Sequence, residues 1–509
     1  MVMRVGGLAS GIDVDSIVSQ YIKAQSAPLN KMKQTEQTLQ WQKDDYRSIN
    51  SKLYDFRNNK LSNYRLEGTF GAKTVDISGT NPSAISAATT GSALAGTMTI
   101  KVNRVATAAS NGSTADIRTS TSFDPTAALS TQTSKINYNT ADTTFYINGT
   151  KITFDPTKES LNDVIKKINS QTDVNASYDS TSGRVSFISK NTGLVNNPTD
   201  AASNGGANIT FSGNFLTNTL NVKTGVAAAG NEHAAVTAAV EVNGLTQSTY
   251  NSNTITVNGV TITLKDTGTA TLTVKTDTDK IVEAVKSFIA DYNDTLKTLN
   301  DKLTEQRYKD FPPLTDEQKK DMKDSDIELW ESKAKSGLLR NDSILSQTVN
   351  DMRMGVYSQV ETGSDKYKTL ASIGITTGDY SERGKLYLSD EQKLRNAIEA
   401  DPEAIKALFT ATGNGDSDTS DVGIAKRLYD GMQTAITSLT EKAGTAGTTG
   451  YYFDGSIIGK KLYSLATQID AENDRINTLE DNYYRKFTAM EKAINGLNSQ
   501  SSYLSQFLR

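Results

Sequence analysis

Cysteine is absent from the 509 residues, and histidine occurs once, at His233. The first absence excludes disulfide frameworks, thiolate metal sites and cysteine nucleophiles. The second excludes any multi-histidine metal centre. Serine hydrolysis through an imidazole base would have to use His233, which stands in the small-residue run GNEHAAVTAA. Carboxylates could serve as acid and base, yet no pair is singled out. The expectation is a protein that is not an enzyme and holds no metal or cofactor. Excess charge is missing too: a net charge of −4 and a pI near 5.4 give no electrostatic case for nucleic acid. No stretch reaches the roughly eighteen apolar residues that a membrane span needs. The first thirty residues lack the basic end and apolar centre of a cleaved signal peptide. Such a chain is expected to stay in the cytoplasm or to leave by a route that reads no such signal.

What is present is helical periodicity at both ends. Counting back in sevens from Leu504 gives Leu497, Met490, Tyr483, Ile476, Ile469 and Leu462, an apolar stripe unbroken by proline. The companion seam is mixed: Leu465, Leu479, Ala493 and Phe507 alternate with Glu472, Lys486 and Gln500. This pattern predicts a coiled-coil helix roughly 75 Å long at 1.5 Å per residue, in need of a partner. The other end of the chain offers one. Asp13 or Asp15 can cap a short helix with Ile17, Val18, Tyr21 and Ile22 on its apolar side, and Pro28 marks its end or a kink. From Leu29 to about Tyr64 a second helix carries Met32, Leu39, Tyr46 and Leu53 at heptad spacing, with Ile49 and Phe56 on the companion position. Met32–Phe56 is the expected partner. Polar companion positions make such a pair weak alone, so the ends are expected to order only on assembly with other copies or partners.

Gly6 and Gly11 have the spacing of a phosphate loop, but Ile12 and Asp13 stand where Lys and Ser or Thr are required. From Gly68 to about residue 275 the chain is rich in Thr, Ser, Ala, Asn and Gly, and the apolar spacing becomes two. Thr97–Val102 alternates as a half-buried strand, and Asn-Gly hairpin signals stand at Asn148-Gly149, Asn243-Gly244 and Asn258-Gly259. Asn148-Gly149-Thr150 is also a formal glycosylation acceptor, but the tight hairpin explains it better. Ser160 with Asp163 approximates a capping box for a helix burying Leu161, Val164, Ile165 and Ile168. Strands at Val174–Tyr178 and Arg184–Ser189 complete a β-β-α-β-β unit, and a related pattern recurs over Ile255–Val274. Residues 103–140 and 190–235 hold few large apolar residues and are expected to be surface loops.

After Asp279 the helical period returns, with Ile281, Val285, Phe288, Tyr292, Leu296, Leu299 and Leu303 on one face. Phe311-Pro312-Pro313 breaks that helix, and Thr315 with Gln318 starts one expected to carry Ile327 and Trp330. Further starts stand at Asn341/Asp342, at Ser389 with Gln392, and at Asp401-Pro402. A strand pair is expected at Lys368–Thr376 and Lys385–Leu388. The helix Ile424–Leu439 leads into a flexible Gly444–Gly450. The run from Gly413 to Asp421 lacks the glycine and glutamate of a calcium loop and reads as a solvated loop.

About three or four domains fit this length, and the periodicities nest them in an α+β multidomain chain. Residues 1–42 with 456–509 form a terminal coiled coil, and 43–68 with 278–455 a helical inner domain. Residues 69–104 with 238–277 form a β-rich domain, and 105–237 a second one inserted in it.

Gly7-Leu8-Ala9-Ser10-Gly11-Ile12-Asp13, followed by Ile17-Val18 and Pro28-Leu29, closely resembles the start of the flagellar filament cap family, also called hook-associated protein 2 or the FliD family. Ile147-Asn148-Gly149 through Leu161, Val164 and Ile168-Asn169 looks like that family's flagellin-type IN repeat. Residues 279–360, with Ser336-Gly337-Leu338-Leu339-Arg340-Asn341-Asp342, and the closing heptads are similar to its C-terminal half. The resemblance covers the first sixty residues and most of 240–509.

It implies a structural assembly factor, extracellular at the distal tip of the flagellum and exported unfolded through the flagellar type III apparatus. Its copies would form a ring-like homo-oligomer of about five or six. The β-rich heads would form a plate, the terminal coiled coils would descend as legs, and flagellin would fold and insert beneath. The implied partners are flagellin, the hook–filament junction protein and an export chaperone. Leg contacts fall to Gly7, Leu8, Ser10, Gly11, Ile12, Asp13, Ile17, Tyr21, Met32 and Leu39 with Ile469, Ile476, Tyr483, Met490, Leu497 and Leu504. The apolar end Tyr503, Leu504, Phe507 and Leu508 suits the chaperone, with ordinary leg packing an equal explanation. Two other readings stay open: another axial flagellar protein (a junction protein or a flagellin), and an extracellular adhesin supported by the Thr/Asn-rich middle.

Overall fold

A computed structural model describes residues 13–194, 207–225, 231–415, 419–445 and 454–507, with Gln506 and Phe507 described in backbone only. The chain divides into two compact units, Met1–Phe70 with Thr278–Arg509, and Gly71–Asp277. The α+β multidomain class is as the periodicities imply.

The first unit is helical. Asp13 Oδ1 accepts from Ser16 N at 3.0 Å and so caps the N-terminal helix Val14–Gln25. Only Ser26 separates it from the second helix, Ala27–Asp55, because Pro28 sits in the first turn, where a missing N–H costs nothing. The second helix runs on as a π-helical segment, Phe56–Leu61, that buries both of its apolar ends. Thr278–Thr304 buries Ile281, Val285, Phe288, Tyr292, Leu296 and Leu299 on one face. Phe288 lies at the centre of an aromatic cluster. Its ring meets Tyr64 edge-on at 5.5 Å and Phe409 at 5.4 Å, and Phe409 stacks on Phe70 at 4.1 Å. Asp342 caps the helix Ser343–Tyr357 through the N–H groups of Ile344 and Leu345, and accepts from the buried Tyr46 hydroxyl at 2.5 Å. Burial and this carboxylate together push the Tyr46 hydroxyl pKa up.

Several sequence expectations need adjustment here. The Thr315–Gln318 capping box forms, but its helix stops at Lys320; Ile327 and Trp330 belong to a separate helix, Asp324–Lys335. Asp390, not Ser389, caps Glu391–Ala400, since its carboxylate reaches Lys393 N at 2.8 Å. The strand pair shortens to Ile375–Thr377 and Leu386–Leu388, because Thr369 caps a 3-10 turn over Leu370–Ile373. Ile424–Ala443 is a helix ending at Gly444, and residues 446–450 of the expected connection lie outside the described residues. In the 413–421 loop, Asp421 Oδ2 accepts from Asn414 N, while residues 416–418 lie outside.

The second unit holds two cores. In one, a five-stranded antiparallel sheet runs in the order Lys73–Gly79, Gly268–Thr276, Gly96–Arg104, Ala238–Val242, Ser248–Tyr250. A three-stranded sheet, Thr254–Val257, Val260–Leu264, Ile85–Thr89, shares its core of Met98, Ile100, Val102, Ile262, Leu264 and Leu272. The Asn258-Gly259 turn has φ of +50° and +78°, the backbone of a type I′ hairpin. A Cβ on Gly259 would lie 2.8 Å from Ala93 Cα, so only glycine fits.

The other core contains the β-β-α-β-β unit. Its strands divide between two sheets, ordered Ala108–Gly112, Arg184–Thr192, Val174–Asp179, and Thr150–Thr153, Thr144–Ile147, Phe211–Ser212. The Ser160–Asp163 capping box starts the helix Leu161–Gln171, whose apolar face joins Phe145, Phe154, Phe187 and Phe215.

Residues 103–140 and 190–235 are not surface loops. Ile117, Phe123, Leu129, Ile136 and Tyr138, with Ile209, Phe211, Phe215, Leu216, Leu220 and Val222, are buried in this same core. Their apolar residues are sparse, but side-chain caps such as Asp124 to Thr126 tighten the turns between them and bring them inward. Glu232 is buried and accepts from Asn208 N at 2.6 Å and Ile209 N at 2.9 Å, which ties two parts of this segment together. Burial pushes its carboxyl pKa up, against the pull of those two N–H groups. Residues 195–206 and 226–230 lie outside the described residues.

Candidate assembly interface

The terminal helices meet within the helical unit. The C-terminal helix, Ile457–Phe507, is anchored at its start by Asp454, which pairs with Lys43 at 2.8 Å and Arg47 at 3.2 Å. Ser456 Oγ then accepts from Gly459 N, capping the first turn. Burial alone would raise the Asp454 carboxyl, but hydrogen bonds from Lys43 and Ser456 and the Lys43 charge bring it from the ordinary 3.8 to about 2. A depressed carboxylate adds stability above its unfolded value and loses it as the pH falls through the folded one. Wild type should therefore lose stability relative to Asp454→Asn between about pH 4 and pH 2 in denaturant titrations. A gap that stays constant over that window would contradict the pairing.

Along the next turns Leu465, Ile469 and Ile476 pack with Ile22, Leu29 and Met32. Arg475 reaches Gln25 O, Tyr483 stacks on Tyr21 at 5.4 Å and 21°, and the Tyr484 hydroxyl donates to Asp15 at 2.9 Å. Partner numbers fall as helix numbers rise, so the helices run antiparallel. Val14 and Val18 are buried, while Ile17 and Leu39 are half-buried outside this cluster. Ile469, Ile476, Tyr483, Tyr21 and Met32 are thus brought together, with Ile22, Leu29 and Asp15 beside them.

Two corrections follow. The expected partner Met32–Phe56 contributes only its first turns to the C-terminal helix. Its second half turns to the helix Ile424–Ala443: Arg47 Nε donates to Ala443 O, Asn50 to Thr440 Oγ1, and Arg57 Nε to Tyr429 O. Tyr46, Ile49, Leu53 and Phe56 are buried in the helical unit, which their heptad spacing alone could not distinguish from a coiled-coil seam. The far end of the C-terminal stripe, in contrast, is open. Met490 is 36% exposed, Leu497 64%, Leu504 61% and Tyr503 63%. Gly7, Leu8, Ser10, Gly11, Ile12 and Leu508, with the Phe507 side chain, lie outside the described residues. The ion pairs of Asp454 had no sequence signal beyond an Asp-Gly-Ser cap preceding the heptads.

Comparison with known proteins is decisive at this point. The family described as Flagellar hook-associated protein 2 C-terminus matches residues 235–499. The chain belongs to the flagellar hook-associated protein 2 family. The N-terminal family of the same name matches residues 10–109, and the Flagellin hook IN motif matches 135–191. The flagellar hook-associated protein 2 of Halalkalibacterium halodurans is 32% identical over 99% of both chains. That of Escherichia coli K12 is 30% identical over 98% of this chain and 97% of its own. The crystal structure of the D1-D2-D3 domains of the flagellar cap protein FliD from Escherichia coli superposes with a TM-score of 0.53 at 25% identity, covering 83% of this chain and 99% of that one. This hook-associated protein 2 is therefore a flagellar filament cap protein. Among the described residues no helix is long and apolar enough to cross a membrane, and no cluster of metal-ligating side chains occurs.

Proposed function

We propose that this chain caps the distal tip of the filament as a homo-oligomer whose terminal helices act as exchangeable legs, with flagellin folding and inserting beneath it. The observation that carries the reading is the division of one continuous stripe. Ile469, Ile476 and Tyr483 pack within the chain, whereas Met490, Leu497 and Leu504 remain uncovered on the same helix. Covering that half on assembly would give each leg an apolar contact that forms and breaks without unfolding the helical unit. The half-polar companion seam keeps the contact weak enough to exchange as each subunit enters. Residues 1–42 with 456–509 form this leg, and Gly7, Leu8, Ser10, Gly11, Ile12, Asp13, Ile17 and Leu39 complete its contacts. Tyr503, Leu504, Phe507 and Leu508 would hold an export chaperone before assembly. Flagellin, the hook–filament junction protein and the type III export apparatus are the other partners. Removing the last thirty residues in cells tests the reading: filaments should fail to elongate, and normal filaments would refute it.

A further inference from the structure

The helical unit has a second polar feature, unrelated to the terminal helices. The helices Thr278–Thr304 and Ser343–Tyr357 and the hairpin Ile375–Leu388 enclose an open cleft of about 760 Å³. Arg353 and Arg383 both line it. No hydrogen bond or ion pair of either guanidinium is found among the described residues. Most of the other arginines of this unit are engaged, such as Arg47, Arg57, Arg307, Arg395, Arg427 and Arg475. Arg353 is the more telling of the two. Its Nε is buried and unpartnered, and the hydroxyl of the fully buried Tyr292 is unpartnered as well. Leaving a buried cationic donor unmet costs more than an ordinary lost hydrogen bond, so the unpaired pair of guanidiniums points to an acceptor from outside the chain.

The cleft is shaped around Arg353. Gly384, at φ +93°, lies against its stem: a Cβ there would stand 3.0–3.1 Å from Arg353 Cγ, Cδ and Nε. Arg383 itself holds a left-handed φ of +56° at the end of the 3-10 turn Tyr380–Glu382, and it is exposed. Glu382 faces away from the guanidiniums, accepting from Tyr387 Oη and from Asp379 N. Asp379 is the acidic side chain of the lining, so two positive charges face one negative. That balance suits carboxylates better than a phosphate dianion, which Asp379 would repel. Asn300, Ser346 and Asn350 supply donors and acceptors at the scale of peptide groups. Tyr380 stands on the rim 97% exposed, and arginine with an exposed tyrosine is the side-chain set that dominates protein–protein contacts.

The geometry points to this cleft as a receptor for an acidic polypeptide segment, whose Asp or Glu carboxylates pair with Arg353 and Arg383 while Tyr380 packs over its backbone. The inference does not rest on the cap reading, since none of these residues belongs to the terminal helices.

The test is fluorescence anisotropy of a labelled peptide of alternating aspartate and glycine, titrated with the purified full chain. Charge-assisted hydrogen bonds set the expected loss at roughly 10- to 100-fold in affinity for Arg353→Gln and for Arg383→Gln. Arg383→Gln lies on an exposed turn and keeps the test valid should Arg353→Gln unfold. Lys366→Gln, an exposed change of the same charge elsewhere in the unit, should leave binding within about twofold. Equal binding of the asparagine counterpart peptide, an equal loss with Lys366→Gln, or unchanged affinity with Arg383→Gln would each overturn the proposal. Full displacement of the peptide by inorganic phosphate at low millimolar concentration would show a small-anion site and overturn it too.

Discussion

A chain lacking residues 480–509 is expected to fold, to reach the medium and to leave cells without filaments, with flagellin accumulating outside as monomer. The expectation follows from where the stripe divides. Leu465, Ile469 and Ile476, with their partners Ile22, Leu29 and Met32, all survive the deletion, as does the Asp454 anchor to Lys43 and Arg47. What is lost within the chain is the Tyr21–Tyr483 stack and the Tyr484–Asp15 hydrogen bond, together about 1–3 kcal/mol of partly exposed contact. Thermal unfolding should therefore shift little. The filament defect should be complete, because Met490, Leu497 and Leu504 form the uncovered half. Detection of the truncated chain in the medium separates loss of capping from loss of export. Elongated filaments in that strain would contradict the role of the terminal helix.

The opposite outcome is expected of Phe288→Ala. Phe288 is fully buried and joins three distant parts of the sequence: Tyr64 at the end of the N-terminal segment, Phe409 after Pro402, and Tyr292 on its own helix. Phe409 passes the contact on to Phe70. Removing the ring leaves a cavity that these side chains can fill only by leaving their own partners, at a cost of about 3–5 kcal/mol. A typical domain has roughly 5–15 kcal/mol in all, so the chemical-denaturation midpoint should fall markedly. Unchanged unfolding would show that the aromatic cluster does not hold these segments together.

The sequence was most legible where one residue type carries one backbone requirement. Asn148-Gly149 and Asn258-Gly259 mark hairpins because both residues take a positive φ there. Ser160 with Asp163 and Asp401 with Pro402 mark helix starts because their carboxylates and hydroxyl meet free N–H groups. It was least legible where partners are chosen by tertiary packing. Tyr46 and Ile49 have the same heptad spacing as Met32, yet they face Ile424–Ala443, and no periodicity could reveal which surface would cover them. Phe123, Leu129, Phe211 and Phe215 were missed for a different reason. Core positions reached through capped turns have no period at all. The pairing of Tyr21 with Tyr483 was partly readable, since both fall on apolar stripes, but its antiparallel register depends on the Ser26 break that sets the direction of the first helix.

The account stands or falls on where the protein sits on an intact flagellum. A small epitope inserted at the exposed Thr181–Ser182 turn of the second unit, imaged with gold on unsheared cells, measures this directly. A single cluster of label at the distal tip of each filament is the predicted result. Label distributed along the filament, or confined to its base beside the hook, would contradict the assignment as a cap.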